Sequence, residues 1–308
     1  GKATITGVSN HTNVLIKNPL PARGIVSSNP LRVERLLKKE VLNGTLKNVR
    51  EHTNAGWGVN IKTAVYKGTE LFFAVIPLGS TGSGFAFFEM YAAGAQCIVR
   101  YGANDATATM REFVIVDSAD NLIGLPYAAG NKEAQRSDVF QASCELVGLL
   151  NLKASEQGLP IKQMICHNVE DYHAYNFSEF FQGGDAIQAQ INELKKSSGS
   201  ECCWDMETAA LFLRAKQFGR HAATVLLPTR SSLEIETTHF GVIFEALLEF
   251  SARTADADDG TSDLTLGRST RRHSTNDLIG VEEPLFTVDD VETGNNLFAE
   301  DDEDIPIF

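Results

Sequence analysis

No CxxC pair occurs in this chain of 308 residues, and its five cysteines (Cys97, Cys144, Cys166, Cys202, Cys203) have no metal-ligand spacing. Their odd number and mostly apolar surroundings fit reduced thiols, and exclude a disulfide framework or a structural zinc site as the basis of the fold. No apolar run reaches the ~20 residues that a membrane-spanning helix needs. The opening GKATITGVSNHTNV has no signal-peptide h-region, so a cytoplasmic location is the expectation. Basic charge is scarce as well, and the formal net charge is −13. The deficit is concentrated at one end: Ala252 to Phe308 carries 15 acidic residues against 4 basic ones, and the remainder is close to neutral at −2. That balance speaks against charge-driven binding of nucleic acid or an anionic membrane, while leaving room for a local basic pocket.

What is present is ordinary for a globular chain, with 43% hydrophobic and 22% charged residues. RGIVSSNPLRVERLLKKEVL reads as a strand, a turn and a helix, with Pro30 in the first helical turn. TAVYKGTELFFAVIPL reads as two strands joined at Lys67–Gly68. GSTGSGFAFFEMYAAGA is a glycine-rich loop feeding a helix. QCIVRYG is a buried strand ending on Arg100 and Gly102, and EFVIVDSA is another strand. KEAQRSDVFQASCELVGLLN is a helix, IKQMICHNV a strand, and GDAIQAQINELKKS a surface helix. CCWDMETAALFLRAKQFG, HAATVLLP and HFGVIFEALLEFSARTA follow as helix, strand and helix. Strands alternating with helices predict an α/β fold: a three-layer α/β/α sandwich with a central mixed sheet over residues 1–254. Residues 255–308 are too acidic and too poor in apolar groups to build a core, and are expected to be a disordered or loosely docked tail.

Three arginines and one carboxylate hold most of the chemical promise. Arg32 follows a strand–turn–helix junction, Arg50 lies in NVREH, and Arg100 closes the buried CIVR strand. A guanidinium at the ligand edge of a sheet can bind an oxyanion through two parallel hydrogen bonds. Gly79 to Gly84 lacks the Gly-Lys-Ser/Thr of a phosphate-binding P-loop and the spacing of a dinucleotide fingerprint, yet its backbone N–H groups could hold one small anion. Asp205 and Glu207 stand at the mouth of a greasy helix, where an acidic cap suits the positive end of the helix dipole.

Taken together, these segments resemble the nucleoside phosphorylase family that includes uridine phosphorylase and the hexameric purine nucleoside phosphorylases. The resemblance runs from about Asn18 to Phe250. RGIVSSNPLRVER is similar to the family's strand and G-D-P-x-R turn, VREHT to its R-E-F-T segment, and GSTGSGFAFFEMYAAGAQCIVRYG to its glycine loop, helix and R-x-G strand end. WDMETAALF is similar to the E-M-E-S/T-A signature. The resemblance implies cleavage of an N-glycosidic bond by phosphate, giving a base and ribose 1-phosphate, with no metal or organic cofactor. It implies Arg100 and Glu207 as catalytic residues. Arg32, Arg100, Ser28 and Ala103 would bind phosphate, and Arg50 would reach a neighbouring subunit's phosphate. Met206 and Glu207 would bind ribose, and His11 would reach the 5′-hydroxyl of the neighbour's ligand. The expected assembly is therefore a homo-oligomer, at least a dimer with shared sites, whose partners are a nucleoside and inorganic phosphate.

Departures from the family pattern bear on activity and substrate. Ser28 stands where the family has a glycine, and Ala103 removes a hydroxyl that normally touches phosphate or ribose. Purine-selective members carry an Asp after the strand matching HAATVLLP; here Arg230 stands there, resembling the uridine enzymes. Tyr172 would stack on the base and Asn176 would supply an amide, although no arginine follows as in the uridine enzymes. Uridine is the expected substrate and a purine nucleoside the alternative. A hydrolase using water, or a relative that binds nucleosides without turnover, are the rivals.

Overall fold

The computed structural model describes residues 16, 18–54, 58–104, 112–121, 139–169, 173, 177–197, 202–228 and 232–258. The chain divides into two units, Gly1–Thr261 and Ser262–Phe308, and every described residue belongs to the first.

Ten strands form one sheet: β1 (Arg23–Ser27), β2 (Leu46–Asn54), β3 (Asn60–Tyr66), β4 (Thr69–Val75), β5 (Cys97–Asn104), β6 (Phe113–Asn121), β7 (Val139–Gln141), β8 (Ile161–Asn168), β9 (Cys203–Asp205) and β10 (His221–Pro228). Their order is β2-β3-β4-β1-β5-β10-β6-β8-β9, with β7 added beside β6. Strands β4, β1, β5 and β10 run parallel. Direction reverses at β6, which is antiparallel to β10, and β8 and β9 then run parallel to β6. The predicted mixed sheet is therefore present.

The described residues also form six α-helices: α1 (Pro30–Leu42), α2 (Ser80–Ala92), α3 (Cys144–Glu156), α4 (Gly184–Ser197), α5 (Thr208–Phe218) and α6 (Leu233–Asp258). α2 packs with α5, while α1 and α3 pack with α6. The alternation of β5 shows how the two groups divide. Its Tyr101 hydroxyl donates to the Glu236 carbonyl on α6, whereas the adjacent Arg100 reaches the mouth of α5. Successive strand side chains point to opposite faces, so α5 and α6 lie on opposite sides of the sheet. The greasiness of α5 follows from its place. Seven of its residues, from Thr208 to Ala215, are buried, because α2 covers one side and the sheet the other.

Local chemistry fixes α1. Pro30 opens it and the Asn29 side chain accepts from the Arg32 N–H at 3.0 Å, filling one of the unpaired first-turn donors. Other boundaries differ from the sequence reading. The glycine-rich stretch is mostly not a loop, since Ser80 to Gly84 already form the first turns of α2, with the Ser83 hydroxyl donating to the Gly79 carbonyl at 2.7 Å. Strand β5 does not end at Gly102 but continues to Asn104, paired with β10 along its whole length. The helix expected over residues 132–151 begins only at Cys144, after the short strand β7; residues 132–138 lie outside the described residues. α6 starts at Leu233, six residues earlier than expected, and runs to Asp258, across the expected domain boundary. From 259 onward the tail is outside the described residues.

Candidate active site

Arg100 is the centre of the site. It shares a face of β5 with Gly102, and its guanidinium folds over that glycine: a Cβ there would lie 2.2 Å from Nη1. Only glycine leaves room for this approach. Arg100 Nη1 donates to Asp205 Oδ2 at 2.6 Å, and Nη2 donates to Glu207 Oε2. All three residues are buried, at 2–5% exposure. The bonds tie the mouth of α5, and with it β9, to β5, four places away along the sheet path.

Asp205 has a second job. Its Oδ1 accepts from the backbone N–H groups of Glu207 and Thr208 at 3.2 and 3.1 Å, and its Oδ2 accepts from the Thr208 hydroxyl. The expected helix cap is present, and the same carboxylate also holds Arg100. Asn168, level with Asp205 on β8, adds to the cap by accepting from Ala209 N–H at 3.2 Å.

Glu207 sits immediately before α5, at its N-terminal boundary. Its Oε1 accepts from the Gly79 N–H at 3.0 Å, next to the first turn of α2. Gly79 has φ +82°, which side-chain-bearing residues rarely adopt, and that conformation turns its N–H toward the carboxylate. The small anion foreseen for this segment is thus the protein's own carboxylate, placed where the α2 dipole favours negative charge. Burial pushes the Glu207 carboxyl up from its ordinary value, and Asp205 adds to that, while Arg100 and the Gly79 N–H pull it back. Burial would lower the Arg100 guanidinium, but Asp205 and Glu207 outweigh it and hold it above its usual value. With both carboxylates ionised, the cluster holds one excess negative charge.

Arg32 belongs to a different cluster. It is buried, its Nε donates to Glu236 Oε1 at 3.3 Å, and its guanidinium lies 5.9 Å from the Tyr101 ring centroid. Arg35 donates to the other Glu236 oxygen from a half-exposed position. The side chain of Arg32 therefore lies on the Tyr101 face of β5, and no bond among the described residues joins it to the Arg100 cluster. Backbone geometry still brings their elements close: Val26 pairs with Arg100 at the end of β1, and Ser28 follows two residues later, half-buried in the turn before α1. Ala103 is half-buried on β5 opposite Leu227. Met206 is half-buried between the two carboxylates. Arg50 is exposed on β2, the edge strand, opposite Thr63. His11, Tyr172, Asn176 and Arg230 lie outside the described residues.

Sequence reasoning missed Glu236 and Asn168. Glu236 is 204 positions from Arg32, and nothing in the local pattern of α6 marks it as an arginine partner. Asn168 carried a faint signal as the polar end of a buried strand. Among the described residues no group of three or more His, Cys, Asp or Glu is arranged to hold a metal ion. No helix among them is long and apolar enough to cross a membrane.

Solved structures place this arrangement among known folds. A uridine phosphorylase from Vibrio fischeri ES114 superposes with a TM-score of 0.59 at 17% identity, covering 76% of this chain and 96% of that one. The same enzyme complexed with 6-hydroxy-1-naphthoic acid gives 0.56 at 16% identity, covering 76% and 92%. A futalosine hydrolase mutant of Helicobacter pylori strain 26695 gives 0.55 at 14% identity, covering 74% and 98%. The described fold is shared with the uridine phosphorylase and the futalosine hydrolase. No family model matches the sequence, and no curated protein matches it either. The likeness is thus one of architecture, and it bears out the predicted fold class.

Proposed function

We propose that this protein cleaves the N-glycosidic bond of a nucleoside by phosphorolysis, with uridine as the preferred substrate. The observation that carries the reading is the buried cluster of Arg100, Asp205 and Glu207 on the fold that the uridine phosphorylases share. Glycosyl transfer passes through a sugar with oxocarbenium character. A preorganised site for it needs acceptors for the ribose hydroxyls and negative charge near the developing cation. Glu207 supplies both from a helix mouth that Asp205 holds fixed. Half-buried Met206 would wall the sugar. In this reading a phosphate dianion binds toward Arg100 and the turn carrying Ser28, with Arg32 re-aimed from Glu236 and Arg50 contributed by a neighbouring subunit. The dianion attacks the anomeric carbon, the C–N bond breaks, and its electrons leave with the base. Ribose 1-phosphate is the second product. No metal or organic cofactor enters the reaction. Uracil is favoured because Arg230 stands where purine-selective relatives carry an Asp, so the leaving base would be met by hydrogen bonds to its carbonyl oxygens.

Hydrolysis is the second reading, favoured by a specific observation: Arg100 and Arg32, two of the three arginines assigned to phosphate, each bond a carboxylate of this chain. Water, unlike phosphate dianion, needs a base to take its proton. Asp205 and Glu207 are both tied to Arg100, which weakens them for that task, and this supports phosphate over water. A panel of uridine, thymidine, inosine and adenosine, each with and without phosphate, tests the proposal. Uridine turnover requiring phosphate and exceeding inosine turnover agrees with it, whereas inosine preferred over uridine would move the substrate to the purine class.

A further inference from the structure

One buried donor at the mouth of α5 takes no part in the ion pairs there. Asn168 closes β8, is fully buried, and is level with Asp205 in the strand register. Paired residues of adjacent strands share a face, so the carboxamide lies on the face of Asp205, the side that Arg100 reaches. Its Oδ1 accepts from the Ala209 N–H at 3.2 Å, and that donor settles which end of the amide is oxygen and which is nitrogen. Nδ2 is buried with no hydrogen-bond partner among the described residues. A helix cap needs only the oxygen, and an NH2 group sealed from water without an acceptor costs stability. The nitrogen therefore calls for an acceptor beyond the cap.

We propose that Asn168 is a base-binding residue whose Nδ2 donates to a carbonyl oxygen of the leaving uracil. The inference rests on the phosphorolysis reading and adds to it a donor for the leaving group. Position and chemistry both favour the base over phosphate or sugar. β8 stands four places from β1 along the sheet path, and Ser28, assigned to phosphate, follows β1. β8 leads instead into residues 169–176, which carry Tyr172 and Asn176, the two residues expected at the base. Ribose hydroxyls find an acceptor in Glu207, whereas uracil carbonyls need a donor, and an ionised carboxylate has none to give.

The contact would act on the reaction as well as on binding. As the C–N bond breaks, its electron pair passes to N1 of uracil and spreads over O2 and O4. A hydrogen bond to either oxygen strengthens toward the transition state, and no proton is transferred. The amide is neutral, so it leaves the balance among Arg100, Asp205 and Glu207 unaltered.

Selective nitrogen-15 labelling of asparagine in the full chain follows the Asn168 side-chain NH2 signals by NMR. They are assigned by their absence from Asn168→Ser or Asn168→Asp, either variant sufficing. Uracil alone is expected to shift them, and ribose 1-phosphate alone is not. Kinetics separate a base contact from a structural role. Asn168→Asp keeps an oxygen for Ala209 and loses the donor. It should lose on the order of 10²-fold in kcat on uridine, and on the order of tenfold on 5-fluorouridine, whose base leaves more readily. A cap alone would lower both by the same factor. Equal losses, no shift with uracil, or a shift with ribose 1-phosphate but not uracil would each overturn the proposal. The uracil shift is read without turnover, so a wild type that cleaves no uridine fails the phosphorolysis reading while the shift still decides this one.

Discussion

Two arginines that look alike in the sequence end in different electrostatic settings. Arg100 is sealed in the interior and held by two carboxylates that are also sealed. Among the described residues Arg32 shares one carboxylate, Glu236, with Arg35, which stands half in solvent. The first cluster sets two carboxylates against one arginine, and the second sets two arginines against one carboxylate. Removing Arg100 from the first leaves two buried carboxylates with neither water nor a counter-charge, whereas the second can relax toward solvent through Arg35. The contrast suggests a division of labour: the rigid cluster meets the developing cation of the sugar, and the looser one can release an arginine to an incoming anion.

The largest effect is expected where the sealed cluster loses its cation. Arg100→Met leaves Asp205 and Glu207 buried without a counter-ion and should cost about 3–5 kcal/mol of stability, the usual penalty for breaking a buried pair from one side. Arg32→Met should cost less than half of that, because Arg35 still serves Glu236. Urea unfolding of the two variants measures the gap, and equal losses would erase the distinction between the clusters.

Within the sealed cluster the carboxylates should separate by role. Glu207→Ala is expected to lose on the order of 10²-fold more kcat/KM than Asp205→Ala, since Glu207 is the one proposed to meet the ribose. Asp205→Ala should show the larger fall in Tm, because it removes the cap of α5 as well as an ion pair. Comparable kinetic losses would contradict that assignment.

Gly102→Ala sharpens the comparison without altering a charge. The new methyl would lie 2.2 Å from Arg100 Nη1, so the guanidinium must leave its place over the glycine. Reduced kcat with a modest fall in Tm is the expected result, with the Arg32 cluster untouched. Wild-type kinetics would mean that the position of Arg100 over Gly102 is not needed.

A separate effect, away from both clusters, is a pH dependence at the α6 layer. Burial pushes His239 down to about 4, and its Nδ1 has no hydrogen-bond partner among the described residues. The unfolded chain takes up this proton near pH 6.5 and the folded chain does not until about pH 4, so stability falls as pH drops through that window. The loss is about 3 kcal/mol, at 1.36 kcal/mol per pKa unit over the shift from 6.5 to about 4. His239 packs edge-on against Phe113, and His239→Phe should flatten the acid limb of stability measured between pH 7 and 4. An unchanged limb would assign the acid sensitivity to other groups.

How much of this was legible beforehand depended on the range of the interaction. Local signals read well: Pro30 in the first turn of α1, the Lys67–Gly68 hairpin, and the apolar runs of β5 and β10 all act within a few residues. The order of motifs also carried the fold class, because WDMET and the glycine-rich segment keep their places along the chain. Glu207 was marked as a gripping carboxylate, but its partners Arg100 and Gly79 lie 107 and 128 positions away. Glu236 was invisible for the same reason. The glycine-rich loop misled because glycines spaced through a helix start look like a loop until α5 packs against them. The early ending assigned to β5 failed because Gly102 reads as a terminator, although its role is to make space for Arg100.

The central claim is that phosphate is the nucleophile at the Arg100–Glu207 cluster. Phosphorus NMR of uridine incubated with the protein and inorganic phosphate tests it most directly. The account predicts ribose 1-phosphate appearing in step with uracil, and no uracil release when phosphate is omitted. Uracil released at the same rate without phosphate, with free ribose as the sugar product, would contradict it.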